Sequence, residues 1–496
     1  MSVAAHLPAL QVALPLIAAP LCSLLRHPGV AWGFATLVSW VVLVIAALLL
    51  ASVLADGTWI YEMGSWAAPW GIVYEVDTIN AFMLLIVAAI GAIVTPYARH
   101  TVDAEVPAEQ HNLFYAAWLL CLTGLLGIAI TGDAFNVFVF LEISSLSSYV
   151  LIAASSDRRA LTAAYQYLVL GTIGATFYLI GIGLVYMMTG TLNIADMAER
   201  LPEVANTRPI KAAAAFITVG IALKFALFPL HLWLPNAYTY APSAVSAFLA
   251  ATATKVSIYV LLRFEFVVFG VDIGIANFHF SEFLMPLCVL AFLAGSTVAI
   301  FQDNVKRLLA YSSVAQIGYM VLGVSFYSVD GMTAGIVHLF NHAMIKAALF
   351  MTMGCIMLRI GSVQIKDLHG IGRHMPWTMF AFVLGGLSLI GVPLTVGFIS
   401  KWYLILGALE EGGYGIAIAA AVLISSLLSV IYIWRVVEVA YFKQSPRGHG
   451  EITEAPLGML VPTWLLIGAN IYFGVQTDLT VGVARQAASL LLGVDL

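Results

Sequence analysis

Long apolar stretches run almost end to end through this chain and decide what it can fold into. They fall at 7–25, 30–54, 78–98, 112–131, 134–155, 161–189, 209–240, 242–269, 281–302, 307–328, 331–358, 376–408, 414–442 and 457–475. A bilayer core of ~30 Å takes about 20 apolar residues per helix. The pattern therefore predicts an all-α polytopic membrane protein with 14 transmembrane helices. Composition excludes the other classes. Of 496 residues only 9% are charged and 62% are hydrophobic, whereas a soluble chain carries roughly 25% charged residues. A soluble enzyme, a disordered chain and a disulfide scaffold are ruled out. The net charge of −5 argues against nucleic acid as a partner. Cys22, Cys121, Cys288 and Cys355 are far apart, lie inside apolar stretches and read as core thiols. Residues 1–25 hold no Lys or Arg, so no signal peptide is expected.

Two stretches, 209–240 and 376–408, exceed a simple span and carry interior prolines, Pro229 and Pro393. Proline removes a backbone donor and clashes with the preceding turn. Carbonyls freed in lipid must be satisfied by protein or by water, so both spans are expected to be broken helices facing protein or a wet cavity.

Loop charge sets the expected orientation. The loops after odd-numbered spans hold eleven basic residues, among them Arg26, Arg158, Arg159, Lys366, Arg373, Lys443 and Arg447. The even loops hold Arg200, Arg208 and Lys211, and the tail adds Arg485. Odd loops are read as cytoplasmic and both termini as external. Segment 55–77 has no basic residue but alternating aromatics, including Trp59, Tyr61, Trp66 and Trp70, which suit an external interfacial hairpin. Residues 193–203 read as a short surface helix.

Six basic residues remain inside spans. Arg263 and Arg435 stand near span ends, where a long side chain is expected to snorkel. Lys224, Lys255, Lys346 and Lys401 have no such exit. A lysine at a helix centre costs about 2.5–3.5 kcal/mol on insertion scales. Glu142 is the acid well inside the fifth span. Burial disfavours an ammonium, and a carboxylate ~4 Å away restores it by ~4 kcal/mol at an effective dielectric near 20. A buried Lys–Glu pair can thus hold a proton when close and release it when drawn apart. The alternatives are a folding ion pair for Glu142 and a hydrogen-bonded helix clamp for a single lysine. His338, His342 and Lys346 recur every fourth residue and share a helix face, which suits a proton relay. A metal or haem site on the two histidines lacks an evident third ligand. His342 also reads as a satisfied core histidine. Ser147, Ser148, Thr252, Thr254, Ser312, Ser313, Gln316 and Tyr319 could supply hydrogen bonds or hold water. The chain shows no phosphate-binding loop, dinucleotide fingerprint or iron–sulfur ligand set. No cofactor is expected, and any active transport must draw on an ion gradient or on partner subunits.

The stretches 134–153 (AFNVFVFLEISSLSSYVLIA), 223–264, 303–323, 338–350 (HLFNHAMIKAALF) and 391–404 (GVPLTVGFISKWYL) resemble the antiporter-like subunits shared by respiratory complex I and Mrp-type cation/proton antiporters. The resemblance covers nearly the whole chain. It implies two inverted five-helix repeats, at spans 4–8 and 9–13, with broken helices 7 and 12. The implied organisation is 1–110 for spans 1–3 with the hairpin, 111–270 and 281–442 for the repeats, and 443–496 for span 14 and an external tail. By position Glu142 is similar to the family's span-5 glutamate and Lys224 to its span-7 lysine. Lys255 matches the span-8 lysine and His338 the span-11 histidine. Lys401 takes a place where some members have glutamate, and this most resembles the D-type branch of the Mrp antiporters. The chain also ends about 20 residues after span 14, without the lateral helix of the largest complex I member. The resemblance implies a proton-translocating, non-enzymatic subunit of a multi-subunit Na⁺/H⁺ antiporter in a bacterial inner membrane. The implied proton path is Glu142, Lys224, Lys255, His338 and Lys401, with His342 and Lys346 auxiliary. Implied partners are other subunits, the lipid bilayer, H⁺ and Na⁺. The alternatives are a proton-pumping subunit of a redox complex (NADH:quinone oxidoreductase, a membrane-bound hydrogenase or a carbon-uptake complex) and a non-conducting scaffold subunit.

Overall fold

The computed structural model describes residues 3–444 and 452–494; Arg447, counted among the cytoplasmic charges, lies outside them. The helices are α1 (Leu7–Leu24), α2 (Pro28–Asp56), α3 (Thr78–Glu105), α4 (His111–Ile130), α5 (Ala134–Ala153), α6 (Arg159–Thr189), α7 (Ile194–Val204), α8 (Arg208–Phe225), α9 (Trp233–Tyr240), α10 (Ser243–Leu262), the single turn α11 (Val271–Ile273), α12 (Phe280–Ile300), α13 (Val305–Ser325), α14 (Val329–Ile360), α15 (Pro376–Ile390), α16 (Val396–Glu410), α17 (Gly415–Phe442), α18 (Leu457–Val475) and α19 (Asp478–Leu492). Strands β1 (Trp59–Glu62) and β2 (Val73–Val76) pair antiparallel between α2 and α3, with Trp59 opposite Val76.

Helix starts follow the residues that can cap them. Asp77, Asp133, Asn193, Asn304 and Ser328 each accept a backbone N–H from the first turn of α3, α5, α7, α13 and α14. An oxygen at this place satisfies one of the donors a helix leaves unpaired. Twelve helices among the described residues are long and apolar enough to cross a membrane. The reading of fourteen spans additionally counts α8–α9 and α15–α16, each as one interrupted crossing.

The two breaks are built differently. Helix α8 stops when Ala226 turns left-handed, at φ 60°. The indole of Trp233, from the start of α9, donates to the carbonyl of Leu223 at 2.9 Å, which also accepts a long bond from Ala226 N–H at 3.3 Å. Helix α15 stops at Gly391, φ +94°, a conformation that glycine adopts without a Cβ penalty. The start of helix α16 then overlaps the end of α15. A Cβ on Gly397 would lie 1.8 Å from the carbonyl oxygen of Ser388. Asn341 of α14 donates to Val396 O at 2.7 Å and ties the restart to the interior.

Helices α3, α4, α10, α13 and α14 are buried on nearly all sides, whereas α1, α2, α6, α12, α17 and α18 turn more of their residues outward. Helix α14 is central and packs against α3, α10, α13, α15, α16, α18 and α19. The sequence reading assigns no element to the tail after span 14. The structure forms α19 there, with Val483, Ala484, Ala487 and Ala488 buried on its packed face.

The tight crossing at Gly397 makes a testable demand. Gly397→Ala should lower the thermal midpoint of the detergent-solubilised protein by several degrees, as overpacking of about 1–3 kcal/mol implies. Gly183→Ala in α6, where nothing lies within 4 Å of the added methyl, should leave the midpoint near that of the parent. Equal midpoints for both variants would contradict the close approach of α16 to α15.

Candidate functional site

The last turn of α8 carries Lys224 against α5. Its Nζ lies 3.6 Å from Glu142 Oε1 and donates to Ser145 Oγ at 2.8 Å. The two ends of this pair differ in setting. The lysine side chain is 4% exposed and the glutamate 25%. The glutamate side chain reaches the rim of the fold with its Oε1 turned inward and buried, and the ammonium lies inside. Ser145 is one turn beyond Glu142 on the same helix face, so α5 offers a charged and a neutral acceptor to one ammonium.

The other predicted groups gather around α14. Lys255 of α10 is fully buried and donates to Ala250 O and to Thr254 Oγ1, the latter at 3.3 Å. Both acceptors are neutral and belong to its own helix. Helix α10 packs along α14, the helix that carries His338, His342 and Lys346. Lys346 donates across to α13, to Leu309 O at 2.8 Å and to Ser312 Oγ. One turn back, neither ring nitrogen of His342 meets a protein partner among the described residues. Its ring stacks on that of His338, with centroids 5.9 Å apart. His338 is held at both nitrogens, Nδ1 at 2.7 Å from Ser400 Oγ and Nε2 at 2.8 Å from Gln316 Oε1.

Lys401 follows Ser400 on α16. Its ammonium donates to Leu389 O at 3.2 Å, Ile390 O at 2.8 Å and Ser426 Oγ at 2.9 Å. The first two are carbonyls left open where α15 ends, the electronegative pole of that helix. The ring of Tyr319 lies between the two predicted groups, edge-on to His338 at 6.0 Å and face-on to the Lys401 ammonium at 5.1 Å. The structure thus brings Lys255, His342, His338, Lys346 and Lys401 into one interior cluster with Gln316 and Tyr319. The Lys224–Glu142 pair stands apart from it, with no direct hydrogen bond to any member among the described residues.

Arg263 departs from its expected behaviour. It does not snorkel; it is 7% exposed and pairs with Asp77, 186 positions earlier, while its Nε donates to Tyr259 OH at 2.8 Å. The pair fastens β2 and the start of α3 to the end of α10. In the same cluster burial pushes the Glu75 carboxyl up, against the pull of Arg263. The sequence reading also passed over Glu265. It sits in the π-helical turn after α10, 1% exposed, and accepts from Tyr327 OH at 2.7 Å. Ser145, Ser400 and Asn341 were missed as well. The only sequence signal for Ser400 is its place beside Lys401, and for Ser145 its position one turn after Glu142.

Residues 131–429, which include every predicted site residue, match the family model described as NADH:quinone oxidoreductase/Mrp antiporter, TM. The chain is 41% identical over 482 residues to the N subunit of an NADH-quinone oxidoreductase from Desulforudis audaxviator, covering 94% of this chain and 95% of that one. It is 30% identical to the D subunit of a Na(+)/H(+) antiporter from Alkalihalophilus pseudofirmus, covering 91% and 90%. Among solved structures, a chain of the membrane-bound sulfane sulfur reductase, an archaeal respiratory membrane complex, superimposes with a TM-score of 0.90 at 30% identity, over 98% of each chain. A chain of the Mrp complex from Dietzia sp. gives 0.85 at 26% identity, over 99% and 98%. With this fold, this extent of match and the whole interior cluster inside it, the chain belongs to the NADH:quinone oxidoreductase/Mrp antiporter transmembrane family.

Proposed function

We propose that this chain is the proton-translocating membrane subunit of a multi-subunit Mrp-type Na⁺/H⁺ antiporter. One observation carries the reading: the bases Lys224, Lys255, His342, His338, Lys346 and Lys401 are all buried in the interior, and among the described residues the one carboxylate in ion-pair range of any of these lysines is Glu142. A purely structural role is a poor account of so many, because apolar packing stabilises at least as well as a buried ion pair. Protons pass from the Glu142–Lys224 pair through Lys255 and the His342–His338 face to Lys401. Lys346 tunes the histidines by its charge. Drawing Glu142 away from Lys224 favours release of the lysine's proton.

A second reading is favoured by the 41% identity to the N subunit of an NADH-quinone oxidoreductase and by the 0.90 TM-score to a chain of the sulfane sulfur reductase. In it the same path serves a redox-driven complex. Everted vesicles carrying the complete complex and a pH-sensitive dye separate the two. Sodium-driven pH change without a reductant supports the antiporter; pH change only on addition of a reductant supports the pump. The proposed setting is a bacterial inner membrane with both termini outside.

In that assay Lys224→Ala should abolish exchange at unchanged complex abundance, and wild-type exchange would sink the assignment. His338→Ala should hurt transport more than His342→Ala, since only His338 is bonded at both nitrogens.

Lys401→Arg is the sharper substitution. Arginine keeps the charge and the donors for Leu389 O and Ile390 O but does not deprotonate in a protein. A helix-capping lysine tolerates it and a proton carrier does not. The expected loss is about 10²-fold, the lower end of what a positioned acid–base group contributes. Full activity would make Lys401 a cap.

The orientation is tested by single cysteines in a chain stripped of its four native ones. Ser65→Cys, on the hairpin, should react with an impermeant thiol reagent on intact cells, and Lys366→Cys should not; both sites are exposed. Labelling of Lys366→Cys from outside would overturn the loop-charge argument.

A further inference from the structure

The two side chains that hold His338 differ in what they can do. A carboxamide oxygen only accepts, whereas a hydroxyl can donate or accept. With Gln316 Oε1 at 2.8 Å from Nε2, Nε2 keeps its proton in both states of the ring. Nδ1 is then the atom that titrates, and it faces Ser400 Oγ at 2.7 Å. In the neutral ring Nδ1 accepts the Ser400 O–H. In the protonated ring Nδ1–H donates to Oγ, and the hydroxyl hydrogen has a second acceptor, Gly397 O, 3.5 Å away. One bond rotation therefore redirects the hydroxyl from Nδ1 toward Gly397 O, and a small shift of Ser400 shortens the 3.5 Å separation to a full hydrogen bond.

The surroundings require such a partner. The charged groups facing His338 are Lys401 from α16, Lys255 from α10 and Lys346 from its own helix, with His342 and Tyr319 beside it. All three charges are cationic, so a neutral hydroxyl has to receive the Nδ1 proton's hydrogen bond. Ser400 is also the residue before Lys401, and Gly397 lies at the start of the same half-helix.

We infer that Ser400 is a positioning residue for proton transfer at His338: its hydroxyl turns between Nδ1 and Gly397 O, matching both protonation states and passing the change to the half-helix that carries Lys401. This rests on the proton-translocation reading above.

The test is the pH profile of exchange in everted vesicles holding the complete complex, at equal abundance. Ser400→Ala strands the Nδ1–H of the protonated ring. The protonated form then requires a higher proton concentration, so the alkaline limb should move toward acid by about one pH unit, the size of one charge-assisted hydrogen bond. Ser400→Thr keeps the hydroxyl and should keep the parent profile. Gln316→Glu is nearly isosteric and sets a carboxylate against Nε2–H, so the limb should move toward alkali. An unmoved limb in Ser400→Ala, or an equal shift in Ser400→Thr, overturns the inference. If Ser400→Ala does not accumulate, the nearly isosteric Ser400→Cys decides: its thiol is a weak acceptor, so the limb should again move toward acid, and an unmoved limb overturns the inference. Wild-type exchange in His338→Ala would instead overturn proton translocation through this site. Loss of exchange in His338→Ala with an unmoved limb in Ser400→Ala would remove only the role of Ser400.

Discussion

An ammonium inside a membrane protein needs acceptors, and the way this fold finds them shapes everything around it. Lys401 takes two of its three from the end of a helix. Leu389 O and Ile390 O are open because α15 stops at Gly391, and the start of α16 overlaps that end so that its own lysine fills the gap. In hydrocarbon an open carbonyl costs several kcal/mol. The break and the lysine therefore stabilise each other. Neutral carbonyls can also hold either protonation state of the amine without leaving a bare carboxylate behind, which a fixed ion pair cannot do.

Lys224 solves the same problem in the opposite way. It lies on the half-helix before its break, and the carbonyl of Leu223 there is taken by the Trp233 indole and the Ala226 N–H instead. The lysine is left to Glu142 and Ser145. One end of the proposed path is thus governed by a charge and the other by dipoles. A charge at 3.6 Å responds to small changes in distance and in surroundings, so control of protonation falls naturally on the Glu142 end.

What the sequence made legible follows from what one-dimensional patterns encode. Hydrophobic runs mark helices, and helix ends such as those of α13 and α18 lie within a few residues of the expected bounds. Pro229 and Pro393 marked both interruptions, and the i, i+4, i+8 spacing put His338, His342 and Lys346 on one face. Pairings across the fold left no such trace. Arg263 meets Asp77 from 186 positions away, and nothing local distinguishes that arginine from one that snorkels. Ser400 is one serine among many until α16 packs on α14 and sets it against His338. The tail was illegible for a related reason. Residues 478–492 mix Asp478 and Arg485 with small apolar residues, and only the neighbouring surface of α14 and α3 turns that mixture into a docked helix.

The exposure of Glu142 links the site to assembly. The Glu142 side chain is one-quarter exposed at the rim, in mid-helix, with its Oε1 buried against Lys224, and a charge at a helix centre costs about 2.5–3.5 kcal/mol against lipid on insertion scales. Its attraction to Lys224, ~4 kcal/mol at that range and an effective dielectric near 20, is of the same size. The pair is therefore close to balance in the isolated chain. Whatever covers that rim shifts the balance. An apolar neighbour strengthens the attraction by lowering the dielectric, and a cationic one draws Glu142 outward and frees Lys224. In the multi-subunit complex proposed here the covering surface is another subunit, so the first proton-holding group answers to the partner before it answers to the bulk solution.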